Sequence, residues 1–243
     1  MSYRVFSPSL KRGSICRSHR LFFKEVFTYV INEAEREEYE RGGHRVVCIP
    51  DGEAKNIVET RNWILRYCRD NDINRFIQVD DDISRILWIY ERDLLDLSNE
   101  ALDNVINEAF QMCDDFNVNL WGMNVICDPM AYSINKPLQF NRVICGTFSA
   151  FNRPPADINY DERFSLKEDF DIFLQFMHKT NRTLRFDFLG YLCDHLKMKG
   201  GCQLYRTTEK EEFQKKLLQK KWGNKIVKEN TRNQDSFNMR ISL

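Results

Sequence analysis

The sequence predicts an α/β fold, one large domain or two small ones, with helices on a sheet that is parallel in its first third and mixed or antiparallel beyond it. Three observations carry that prediction. In the first third of the chain, short β-branched runs alternate with stretches of helical periodicity, the pattern that builds a parallel sheet with crossover helices on its faces. One of those runs, residues 76–79, stops abruptly in three carboxylates, Asp80-Asp81-Asp82, before an apolar pattern resumes at Ile83. Beyond residue 128 the alternation gives way to segments broken by Pro129, Pro137, Pro154 and Pro155, which suits a mixed or antiparallel half covering a site.

Taken in order, residues 3–7 suit a first strand ending at Pro8, and residues 9–18 a basic, polar loop. Residues 21–25 read as the end of a short helix, 27–31 as a strand, and 32–41 as a charged helix stopped by Gly42-Gly43. A strand over 45–50 follows, then a helix over 54–69 with Ile57, Ile64, Leu65 and Cys68 at helical spacing. After the acidic strand come a helix over 98–116 capped by Ser98 and a strand over 118–127. Residues 140–151 are expected as one strand, 167–180 as a helix with Glu168 and Asp169 in its first turn, and 184–189 as a strand. Residues 196–232 hold eleven Lys or Arg against four Asp or Glu. That excess marks either a nucleic-acid surface or the solvated face of a helix over 209–221.

Composition bounds the function. With 243 residues, 42% hydrophobic and 30% charged, the chain has the make-up of a folded globular protein with a substantial core. No apolar run approaches the roughly 18 to 20 residues of a membrane span and the N-terminus lacks a hydrophobic signal segment, so a cytoplasmic protein with no membrane partner is expected. The eight cysteines are scattered singly, with no close-spaced pair of the zinc-knuckle or redox kind. Most lie in apolar runs and read as reduced core residues. A formal net charge of zero argues against a uniformly basic nucleic-acid binder, although a local basic surface escapes that count.

The acidic triplet is where chemistry is expected. Unpaired buried carboxylates cost several kcal/mol, so three at a strand end call for a cation. Hard oxygen ligands with open positions suit Mg2+ or Mn2+, ions usually shared with a substrate's phosphates. The alternative is an acidic loop capping the next helix, for which one Asp is enough. Ligands on such sheets bind at the carboxyl ends of the strands, and Pro8, Pro50 and Asp80 all fall there.

With Arg61-Asn62-Trp63-Ile64 before the acids and Glu168-Asp169-Phe170-Asp171 after them, the sequence resembles the GT-A glycosyltransferases, and within them the TET-associated glycosyltransferases of phages. The likeness starts at Ser7-Pro8-Ser9-Leu10-Lys11-Arg12, passes through Asp80-Asp81-Asp82-Ile83, Trp121-Gly122 and Gly146-Thr147-Phe148, and ends at Lys199-Gly200-Gly201. It implies a GT-A-like, Rossmann-type mixed sheet flanked by helices in a single domain, with residues 1–127 as the nucleotide-sugar-binding half and 128–243 as the acceptor-binding half. It also implies an inverting hexosyl- or N-acetylhexosaminyltransferase that needs Mn2+ or Mg2+ and moves a sugar from a UDP-sugar. The implied acceptor is a hydroxyl on a modified base of the 5-hydroxymethylcytosine type in double-stranded phage DNA. A related eukaryotic branch is linked to protein, so a protein hydroxyl is the alternative acceptor. A silent nucleotide or nucleic-acid binding module and a nucleotidyltransferase remain as other readings.

Carried over residue by residue, Asp80 and Asp82 match the metal-binding Asp-x-Asp motif, with Asp82 directly on the ion and Asp80 nearer the ribose or the metal's water. His195 is the candidate third ligand, and His19, His44 and His178 are poorer ones by position. Asp169, with Glu168 beside it, matches the catalytic base, although the helix dipole alone favours acids in a first turn. Ser7, Arg12, Arg61, Asn62, Asp80, Asp81 and Gly146 are the implied donor contacts. The guanidiniums of Arg12 and Arg61 suit a diphosphate, and ordinary salt bridges account for them equally well. Trp63, in mid-helix, reads as core, and Trp121 as core or a stacking platform. Alternation along an extended segment points Asp81 away from Asp80 and Asp82, which makes it a supporting residue.

Overall fold

The computed structural model describes residues 3–125, 127–193, 207–229 and 239–243. The elements run β1 (Arg4–Pro8), β2 (Phe27–Asn32), α1 (Arg36–Arg41), β3 (Val46–Ile49), α2 (Ile57–Asp70), β4 (Arg75–Val79), β5 (Ile83–Tyr90), β6 (Asp93–Asp96), α3 (Asn99–Asp115) and β7 (Leu120–Asn124). They continue with β8 (Leu138–Phe140), β9 (Phe148–Asn152), α4 (Glu168–Thr180), β10 (Leu184–Cys193), α5 (Thr208–Trp222), β11 (Val227–Glu229) and β12 (Met239–Ile241). Among these residues no helix is long and apolar enough to cross a membrane.

A ten-stranded sheet in the order β3-β2-β1-β4-β9-β7-β10-β5-β6, with β8 paired to β10, organises the molecule. β1, β2, β3 and β4 are parallel, as the alternation in the first third predicts, and β10 is parallel to β7. β9 is antiparallel to β4 and β7, and β10 is antiparallel to β5. The sheet is therefore mixed and single, with β9 and β10 inserted among strands of the first half.

Side-chain alternation along the strands divides the core. Val5, Tyr29, Ile31, Ile77 and Val79 face α3, where Leu102, Ile106, Ala109 and Phe110 close the layer. Phe6, Val30 and Phe76 face the opposite way, onto Val58, Ile64, Leu65 and Cys68 of α2 and Ile172 and Phe176 of α4. Each such side chain, fully buried, contributes about 1.5–3 kcal/mol. The caps follow the chemistry of the sequence: Asn56 accepts from the amides of Val58 and Glu59 at the start of α2, and Ser98 from Ala101 at the start of α3.

Several boundaries differ from expectation. The single strand expected over 140–151 is two, β8 and β9, because Asn141 turns the chain with φ of 59° and residues 145–147 leave the sheet to line the cavity described below. The short helix expected to end over 21–25 is a 3-10 turn, Ser18–Leu21, and residues 22–25 are not helical. The β5–β6 hairpin has no counterpart in the sequence prediction beyond the resumed apolar pattern. Helix α5 is not merely a solvated charge run. Glu211, Gln214, Lys215 and Leu218 are buried, and its apolar residues join Phe173, Leu174 and Met177 of α4 in a small third core.

Candidate active site

The carboxyl ends of β1, β2 and β4, the start of α2, the 145–147 loop and the start of α4 enclose a cavity of about 520 Å³, within the range of ligand sites. Asp80, Asp81, Asp82, Glu168 and Asp169 all line it, together with Arg12, Lys55, Arg61 and Lys167. The acids of two segments 86 residues apart by numbering, Asp82 and Glu168, are thus neighbours of one space.

Arg61 ties them. From α2 its Nη2 donates to Asp80 Oδ1 at 2.8 Å and to the Gly146 carbonyl at 3.0 Å, and its Nη1 donates to Glu168 Oε1 at 3.0 Å. The residue is only 3% exposed, so its charge serves the two acids. Gly146 follows from this packing, since a Cβ there would collide with the Arg61 guanidinium. Asp80 keeps the most open carboxylate of these pairs, its side chain 25% exposed.

Asp81 is held differently. It accepts from Ser9 Oγ and, at 2.5 Å, from Arg12 Nη1, while Tyr39 Oη donates to Ser9 Oγ at 2.6 Å. Burial pushes its carboxyl up to about 6 against the opposing pull of Arg12 and Ser9. Arg12 Nη1 also lies 3.9 Å from Asp82 Oδ2. The loop 9–18 clamps the backbone of the acidic turn as well: the Arg17 amide donates to the Asp81 carbonyl at 2.9 Å, and Ser18 Oγ donates to the Asp80 carbonyl at 2.6 Å and accepts from the Ile83 amide at 3.0 Å.

Glu168 and Asp169 open α4. Asp169 accepts from the Phe170 amide at 2.8 Å and from the Gly146 amide at 3.4 Å. Burial raises both carboxyls above the ordinary range, the Asp169 charge raises that of Glu168 further, and Arg61 opposes in both cases. Lys167, the residue before them, is bound by Glu211 of α5 at 2.5 Å. Five carboxylates face four cations, one of which is already engaged with an acid outside the cavity. That surplus of hard oxygen donors fits a divalent cation of the Mg2+ or Mn2+ kind.

Two of the implied donor contacts lie elsewhere. Ser7, fully buried in β1, precedes the residues that reach the cavity, Pro8 and Ser9. Asn62 follows Arg61 by one position, about 100° around the helix, and so turns away. It pairs with the backbone of Tyr160, donating to its carbonyl and accepting from its amide, each at 2.8 Å. Trp121 is fully buried core and Trp63 is half-buried, stacked on Tyr67. His195 and the Lys199-Gly200-Gly201 segment lie outside the described residues. Ser9 and Tyr39, which support Asp81, and Lys167, behind the second pair, are not marked as site residues by the sequence. The hydroxyl of Ser9 in the opening loop was the only local signal.

A mixed sheet of this order, with a carboxylate-lined cavity at the ends of its parallel strands, is the architecture of the GT-A-like nucleotide-diphospho-sugar transferases. Glucosyl-3-phosphoglycerate synthase from Mycobacterium tuberculosis, in a complex with Mn2+, UDP-glucose and phosphoglyceric acid, shares the fold at a TM-score of 0.50 and 10% identity, over 89% of this chain and 78% of that one. The mannosyltransferase PcManGT from Pyrobaculum calidifontis, in complex with GDP-mannose and Mn2+, matches at 13% identity and a TM-score of 0.41, over 69% of this chain. The matched region spans about half of that protein, 51%. No curated protein matches the sequence. The family model of the TET-associated glycosyltransferases covers residues 3–201, and the chain belongs to that family.

Proposed function

We propose that this glycosyltransferase moves a sugar from a UDP-sugar, with inversion and in the presence of Mn2+ or Mg2+, to a hydroxyl on a modified base of the 5-hydroxymethylcytosine type in double-stranded DNA. The observation that carries the reading is the convergence of Asp80, Asp82 and Asp169 on one cavity, with Arg61 bridging the two acidic segments.

In this reading Asp80 and Asp82, with His195 as a third ligand, hold the ion, which when bound neutralises the charge that grows on the departing diphosphate. Arg61 fixes Asp80 and Glu168 relative to each other, and Gly146 admits it. Asp169 takes the proton of the acceptor hydroxyl as that oxygen forms its bond to the anomeric carbon and the bond to the diphosphate breaks. A carboxyl raised by burial is a stronger base than an exposed one. The first half of the chain supplies the nucleotide side of the cavity and the second half the acceptor side. Exposed Lys216, Lys220 and Lys225 on and just after α5 support a polyanionic acceptor, and the donor class is the one bound by the M. tuberculosis enzyme.

The test is transfer from a panel of UDP-sugars to a hydroxymethylcytosine duplex with and without Mn2+. Asp82→Ala should abolish metal-dependent donor binding, and Asp169→Asn should leave it nearly intact while lowering transfer by about a hundredfold. Full activity in either variant would remove the assigned role, and transfer to a protein hydroxyl but not to the duplex would replace the acceptor.

A further inference from the structure

A second cluster of ligand-type side chains lies behind the acidic turn, outside the cavity lining. Cys16, His19 and His44 offer ligand atoms that all lie within 4.8 Å of one another. Cys16 Sγ is 3.6 Å from His44 Nε2. A tetrahedral zinc ion with bonds of about 2.3 Å to sulfur and 2.05 Å to nitrogen sets those two atoms about 3.6 Å apart. The remaining edges need to close by roughly 1 Å, within the reach of side-chain rotation about χ1 and χ2.

Local structure builds this cluster. Cys16 and His19 are three residues apart across the entry to the 3-10 turn Ser18–Leu21, a spacing that sets side chains on one side of such a turn. His44 arrives from the Gly42-Gly43 turn, its ring 4.5 Å from that of His19. The hydroxyl of Tyr29 lies 2.8 Å from His19 Nδ1. A hydrogen bond from Nδ1 to that oxygen would leave the Nε2 lone pair of His19 for a metal, the arrangement found in metal-bound imidazoles. The Gly13 carbonyl oxygen, 3.2 Å from His44 Nε2 and 3.6 Å from Cys16 Sγ, stands near the fourth position. Cys16 is buried and both histidines are half-buried.

We propose that Cys16, His19 and His44 form a site for a soft to borderline divalent ion, zinc foremost, that braces the loop holding Asp80, Asp81 and Asp82 in place. Thiolate and imidazole ligands select Zn2+ over Mg2+ or Mn2+, so this site and the carboxylate cavity take different metals. On binding, the Cys16 thiol loses its proton to solvent, and His44, whose Nε2 donates to the Gly13 carbonyl in the metal-free cluster, shifts to the tautomer protonated at Nδ1 so that Nε2 offers its lone pair. The bracing is direct: between Cys16 and His19 lie Arg17 and Ser18, whose amides and hydroxyl carry the acidic turn, and the Cys16 amide itself bonds the Arg12 carbonyl at 2.9 Å. The alternative is a hydrogen-bonded polar cluster that holds no ion.

Cobalt substitution separates the two. Chain loaded with Co2+ in excess Mg2+ should show tetrahedral d–d bands and a thiolate-to-cobalt charge-transfer band. As purified, the chain should carry about one zinc per molecule and melt at a lower temperature after chelation. The thiolate band should vanish in Cys16→Ser, weaken in His44→Gln, which covers the case of a misfolded Cys16 variant, and persist in Asp82→Ala and in Cys145→Ser, where Cys145 lines the cavity. Absence of a thiolate band, or its loss in Cys145→Ser with retention in Cys16→Ser, would overturn the assignment. So would a chelator-insensitive melt in protein free of zinc.

Discussion

At the scale of single residues, the three consecutive acids have three different situations. Asp80 is pinned by Arg61 yet open to the cavity, Asp82 lines the cavity beside Arg12, and Asp81 is enclosed by Ser9 and Arg12. The sequence expects Asp81 to be the supporting member from alternation along an extended segment, but Asp81 and Asp82 form a turn, so that role rests on the Ser9 and Arg12 contacts instead. The structure adds that its support is an ion pair, so the neutral isostere is not free. Asp81→Asn should lower unfolding free energy by about 2 kcal/mol, the worth of a hydrogen bond to a charged group, while keeping metal-dependent donor binding within a few-fold of the parent. Denaturant melts paired with donor titrations check both halves, and Asp81→Asn losing donor binding as fully as Asp82→Ala would contradict it.

Glu168 makes the second residue-scale prediction. Burial and the neighbouring Asp169 carboxyl hold its proton more tightly in the folded chain than in the unfolded one. A raised folded pKa contributes stability that is complete below the unfolded value, about 4.3, and is lost as pH rises through the folded value. Glu168→Gln removes that titration. Melting temperature against pH from about 4 upward should therefore decline less steeply in the variant than in the parent, under metal-free conditions. Parallel curves would show that Glu168 is ionised throughout, and that Arg61 outweighs its burial.

At the scale of elements, α5 explains why α4 presents its acids where it does. The buried pair Lys167–Glu211, the bond from Trp222 Nε1 to Asp171 Oδ1 at 2.8 Å and the contacts of Lys221 with Asp161 and Asp171 fix α5 against the first turn of α4. Removing one partner of a buried pair leaves a charge out of water, so Glu211→Ala should destabilise the fold by about 3 kcal/mol or more. Replacing both residues with apolar ones should recover much of that loss, measurable by chemical denaturation. Most helices were legible from periodicity and caps, because those signals are local. The buried polar face of α5 was not, since a run rich in Lys and Glu reads as solvated until a second acidic helix is packed against it. The split of β8 from β9 was hidden for a related reason: the apolar pattern continues through a loop that is buried against the site rather than within the sheet.

At the scale of the whole molecule, the sheet interleaves its two halves, β9 between β4 and β7, and β10 between β7 and β5. That order is set by contacts distant in sequence, which no local pattern reports, although the parallel first third and the mixed remainder could be read. The same distance explains the site. Asp80 to Asp82, Glu168, Asp169, Arg12 and Gly146 line one cavity, whereas the central place of Arg61 is visible only once segments 107 positions apart, Arg61 and Glu168, are joined. The acceptor surface belongs to this scale too, because net charge is zero overall and any attraction for DNA must come from a local face. Of the basic residues of the tail, Lys215 and Lys221 are engaged within the protein, while Lys216, Lys220 and Lys225 are exposed. If that face meets the duplex, log affinity should fall linearly with log salt, and the triple change to Gln should flatten the slope by about 2–3. The same change should leave donor binding in the cavity unaltered. A slope that the triple variant does not move would place the DNA on another face, and a salt-independent affinity would favour a protein acceptor.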